Sequence, residues 1–134
     1  MNESSETETS TEEKVAPPLR DLLLASANCL RERVAVQALV GEEHLLTLNA
    51  VRAALVRETD HGVECAWEHM GGRLYRLGLD DRERAFLDLV LSMAGAHQTS
   101  LIRVQEVDDR QLVIVLRALI ALSGRDAIAV GTRV

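Results

Sequence analysis

A chain of 134 residues and 14.8 kDa is long enough for one domain with a core that needs neither disulfide nor metal. Hydrophobic residues make up 47% of it but aromatic ones only 2%, namely Trp67, Tyr75 and Phe86. That scarcity disfavours the aromatic platforms on which single-stranded nucleic acid stacks and predicts a core of Leu, Val, Ile and Ala between helices. The net charge of −6 is concentrated at the start, where Glu3, Glu6, Glu8, Glu12 and Glu13 are set against Lys14; the remainder is nearly balanced and offers no general electrostatic footprint for DNA or anionic lipid.

Residues 1–16, "MNESSETETSTEEKVA", hold too few apolar side chains to offset the entropy of ordering them, and read as a disordered acidic tail. Residues 17–134 read as a single all-α domain, a compact bundle of about five helices. Cys29 and Cys65 form no CxxC motif and follow no basic-then-apolar leader, so a reducing cytoplasm is the expected location. The longest apolar run, 112–122, is interrupted by Arg117 and falls short of the roughly 20 residues that span a bilayer. No membrane partner is expected.

Pro18 suits a first helical turn and Gly41 the residue beyond a last one, which predicts one helix between them with Leu22, Leu23, Cys29, Leu30, Val34 and Val36 inward. A second helix is expected from Glu42 through Leu45, Leu48, Val51 and Leu55. It either continues to Gly71-Gly72 or restarts at Thr59 or Asp60. Asp80 with Glu83, and Asp108 with Gln111, have the spacing of capping boxes, in which the acid accepts from a first-turn amide and the longer side chain reaches back. They mark two further helix starts. The helix after Asp108 is apolar almost all round, which predicts either a central position or a subunit interface carried by Leu112, Val115, Leu116, Leu119 and Ile120. After Gly124, residues 127–130 read as an extended tail or as a strand for another chain.

Three sets of residues carry candidate chemistry. His61, Cys65 and His69 are spaced by four, so neighbouring pairs could share one face of a helix. The outer two would stand about 12 Å apart along its axis, leaving Cys65 with His69 as the nucleus of a metal site that needs ligands from elsewhere; no cofactor is expected. Residues 86–107 read as helix, glycine turn and short helix opening at Thr99 or Ser100, the outline of a helix-turn-helix. His97, Gln98, Thr99 and Arg103 would then face DNA, with Arg103 suited to guanine or phosphate and Gln98 to adenine. The apolar surface of the last helix is the third. It favours a non-enzymatic protein acting through protein contacts, a homo-oligomer; the helix-turn-helix regulator is the alternative and the Cys/His metal protein a third reading.

Overall fold

The computed structural model describes residues 18–133; the expected acidic tail lies outside them. The described chain is mostly helical, with five α-helices and one small two-stranded sheet. The helices do not all fall where sequence spacing places them.

The segment expected to form one helix from Pro18 to Gly41 forms two, α1 (Leu19–Ser26) and α2 (Leu30–Glu42). Between them Ala27 and Cys29 take extended backbone, and the Asn28 amide donates to Glu32 Oε1 at 3.0 Å. The break corrects two placements: Cys29 is only half-buried at the cap of α2, and Leu30 is 45% exposed. Gly41 lies inside α2 rather than beyond it. The reversal falls instead on Glu43, whose φ of 75° is the one positive value at a non-glycine among the described residues. Two contacts stabilise this ending. The buried Glu42 carboxylate accepts from the Leu45 amide at 2.8 Å, and Arg110 donates to the Gly41 and Glu42 carbonyls at 2.8 and 2.9 Å, supplying a cation where the helix end is negative.

The long helix expected from Glu42 is replaced by a 3-10 turn (Leu45–Thr47) and the short α3 (Asn49–Leu55). Helix 61–70 is absent. The chain forms an antiparallel hairpin, β1 (Val56–Thr59) and β2 (Gly62–Cys65), pairing Val56 with Cys65, Arg57 with Glu64, Glu58 with Val63 and Thr59 with Gly62. Gly62 makes the reversal at φ 136°, a backbone conformation that glycine takes freely and other residues rarely adopt. Arg57 reinforces the register across the strands by donating to Glu64 Oε2 at 2.9 Å. Two 3-10 turns, Trp67–His69 and Leu74–Arg76, lead out of the sheet.

Both expected capping boxes are present. Asp80 accepts from the Glu83 amide at 2.8 Å and Glu83 returns to the Asp80 amide at 3.0 Å, opening α4 (Asp81–Met93). Asp108 and Gln111 do the same at 2.7 and 3.2 Å, opening α5 (Asp109–Ser123). α4 is the centre of the molecule, with every residue from Ala85 to Leu91 buried. Phe86, Leu87, Val90 and Leu91 meet Leu23 of α1, Val34 and Leu39 of α2, Leu55 of α3 and Val115 of α5 in one core. α5 therefore lies against the core rather than at its middle.

Candidate functional site

Along α5, Gln111, Val115 and Ala118 are buried, and Ile114, Ala121 and Leu122 pack against the core. These residues occupy one side of the helix. The other side carries Leu112, Leu116 and Leu119, spaced four and three, followed by Ser123 four residues on. Leu116 is 39% and Leu119 45% exposed, and Leu112, Val113 and Ile120 are partly exposed without belonging to the core. Of the five residues expected at an interface, Val115 is the correction: at 2% exposure it belongs to the chain's own core. Leu112, Leu116 and Leu119 line the open face, and Ile120 borders the C-terminal tail at Ile128 and Val130.

That face stays open because its neighbours lie to the side. α2 flanks the Ile114, Ala118 and Ala121 edge, where Val34, Gln37 and Ala38 meet it across a groove of about 230 Å³. The C-terminal tail returns along the same edge, with Arg117 donating to the Val130 carbonyl at 3.3 Å. Residues 127–130 form no strand. Exposed charges of both signs flank α5: Asp108, Asp109 and Arg110 at its start, with Asp108 3.4 Å from Arg82, and Arg125 and Asp126 just past its end.

The residues expected to read DNA form a different constellation. α4 ends on Gly95, at φ 81°, with Ala96 donating to the Leu91 carbonyl and Gly95 to that of Ser92, a glycine stop of the Schellman type. The segment that follows is a five-residue 3-10 turn, Leu101–Gln105, opened by the Ser100 side chain, in place of the α-helix expected from Thr99 or Ser100. Three of the four expected contact residues turn inward onto one carboxylate, Asp88, which is only 6% exposed on α4. His97 Nε2 meets Asp88 Oδ1, Thr99 donates to Oδ2 at 2.8 Å, and Arg103 Nε donates to Oδ2 at 3.0 Å. Arg103 also donates to Glu106 and to the Tyr75 hydroxyl, at 3.1 and 2.6 Å; these partners, Glu106 foremost, hold its pKa above the ordinary arginine value. Gln98 remains exposed. Chemically the cluster neutralises a buried carboxylate and fastens the 96–105 connector to α4; sequence spacing missed Asp88 itself.

The Cys/His set is dispersed by the hairpin. His61 sits exposed at the turn, Cys65 is buried at the end of β2 and His69 is exposed in the following turn, 3.8 Å from Glu68. Among the described residues no group of three or more His, Cys, Asp or Glu side chains is placed to hold a metal ion. Burial, with Glu32 and Glu64 nearby, pushes the Cys65 thiol up to about 12, the reverse of what a nucleophile or thiolate ligand needs. Cys65 borders a polar cleft of about 330 Å³ that also contains Glu32, Arg57, Glu64 and Glu68. Its main cation is engaged. Arg57 donates to Glu64 and Glu68 at once, which raises its own pKa and, from the Arg57 side, lowers that of Glu68.

No described helix is long and apolar enough to cross a membrane. Neither protein-family models, curated proteins nor solved structures yielded a match to the chain.

Proposed function

We propose that this protein has no reaction of its own and acts through protein contacts, self-associating through the open face of α5 in the cytoplasm. The observation that carries the reading is the stripe of partly exposed Leu112 and exposed Leu116 and Leu119, on a helix whose opposite side is locked into the core. Isolated exposed leucines are ordinary, but aligned ones on a rigid helix form a contiguous apolar strip of the kind that marks interaction surfaces. A symmetric pair of copies covers such a strip with itself. The cytoplasmic setting is supported by the two free cysteines, one half-buried and one buried.

The test is the mass in solution by light scattering at roughly 10–100 µM, where weak interfaces are populated. The expected result is a concentration-dependent mass above that of one chain, returned to a monomer by Leu116→Glu with unchanged helical circular dichroism. A monomeric wild-type protein across that range, or a Leu116→Glu variant that still associates, would overturn the proposal.

A further inference from the structure

We propose that residues 12–17 of this chain, "EEKVAP", dock in a groove formed by the start of α1, the end of α2 and the Leu45–Thr47 turn. This surface is separate from the open face of α5, and the inference does not rest on that face. The groove has a volume of about 510 Å³, and Leu19, Val40 and Leu46 form its apolar wall. All three are partly buried and packed against the core. An apolar side chain seated among them extends the core outward and is favoured by the surface it removes from water.

The point of attachment makes the chain's own segment the occupant. Pro18, the first described residue, is itself part of the groove. Val15, Ala16 and Pro17 directly precede it and, with Met1, are the apolar residues of 1–17. A proline confines the residue before it to extended backbone, so Pro17 and Pro18 in succession restrict Ala16 and Pro17 before any contact forms. At about 3.1 Å per residue of such chain, Val15 lies within roughly 9 Å of Pro18. Tethering at that range gives an effective concentration on the order of millimolar, which a free partner must exceed to compete.

The charges around the groove fit the same segment. Its wall carries Arg20, Arg52 and Glu43. Arg52 donates to neutral acceptors, the Leu46 and Thr47 carbonyls at 3.0 Å each and Asn49 Oδ1, and among the described residues neither Arg20 nor Arg52 has a carboxylate partner. The neighbouring charges are already matched. Asp21 lies in the first turn of α1, where the helix dipole favours an acid; His44 meets Glu83 at 2.8 Å; Glu42 accepts from the Leu45 amide; and Arg110 holds the Gly41 and Glu42 carbonyls. Two cations and one acid, Glu43, are left. The segment supplies Glu12 and Glu13 for the cations and Lys14 for the acid. On this placement the tail proper ends at Thr11.

Lys14 is the one lysine of the chain, so a lysine-specific endoprotease cuts the full-length protein at a single bond, inside the docked segment. The cutting rate of each full-length variant is divided by that of the free peptide 1–20 of the same sequence, which cancels the protease's own preferences. Wild type is expected to be protected about tenfold more than Val15→Ser, which removes the apolar anchor, and than Thr47→Trp, whose indole fills the groove from an exposed position. Arg20→Glu should lose about threefold, as an exposed ion pair would. Equal protection in wild type and Val15→Ser, or a folded Thr47→Trp that stays protected, overturns the docking; an unchanged Arg20→Glu overturns it as drawn, with the acids on the cations. Protection that rises with protein concentration would seat the segment in a second copy and overturns it equally. Val15 precedes the first described residue, so Val15→Ser decides the matter even if Thr47→Trp fails to fold.

Discussion

Asp88 shows how one side chain governs a long connector. A carboxylate buried at 6% exposure is tolerable only because Thr99, Arg103 and His97 surround it, and removing it takes the shared acceptor from the Thr99 hydroxyl, the Arg103 Nε and the His97 ring. Asp88→Ala should therefore cost about 3 kcal/mol in urea unfolding, while Gln98→Ala, at an exposed neighbour, should stay within about 0.5 kcal/mol. Cys65 gives a different signature. Its folded-state pKa is raised from 9.0 to about 12, so both states hold the proton below about pH 9 and the thiol's contribution there is constant. Above pH 9 the unfolded chain releases it first, and stability falls until the folded pKa is reached, by at most about 1.4 kcal/mol per pH unit. Denaturation midpoints measured between pH 8 and pH 11 should fall more steeply for wild type than for Cys65→Ala. Equal slopes would mean that the thiol is accessible in the folded protein.

Among the elements, the two helices opened by capping boxes were readable in advance. The boxes at Asp80 and Asp108 close within four residues, so α4 and α5 begin where spacing places them. The hairpin was hidden because "VRETDHGVEC" sets Arg57, His61 and Cys65 at four-residue intervals, as a helix face would, while its register depends on Arg57 reaching Glu64 across the turn. Val56, Thr59 and Val63, with a glycine after Asp60 and His61, were the available signals for strands. The Asp88 cluster was equally hidden, since its partners come from 9, 11 and 15 residues along an irregular connector. Its trace was a single acid inside "AFLDLVL", where a buried helix face demands a counter-charge. The hairpin turn is sensitive to backbone alone: a Cβ added at Gly62 would meet nothing within 4 Å, yet the residue holds a φ of 136°. Gly62→Ala should thus destabilise by roughly 1–2 kcal/mol through conformation alone, whereas Gly71→Ala, in equally open space without a positive φ, should be close to neutral. Thermal unfolding of the two variants separates them.

At the scale of the whole molecule, the helix that carries the open face is tied by a side chain to the end of α2. Arg110, in the first turn of the helix that carries the Leu112–Leu119 stripe, holds the last carbonyls of α2, where Glu43 already adopts a positive-φ backbone that only Gly takes freely. The end of α2 is therefore kept wound by a side chain belonging to the helix proposed for pairing. Steadying α5 should slow amide deuterium uptake at residues 41–45 as well as along 109–123. Comparing uptake below and above the association midpoint checks this, and protection confined to α5 would show that Arg110 transmits nothing. If both segments are protected together, the guanidinium acts as a tension member, and a contact on one surface is felt as order at the far end of a neighbouring helix.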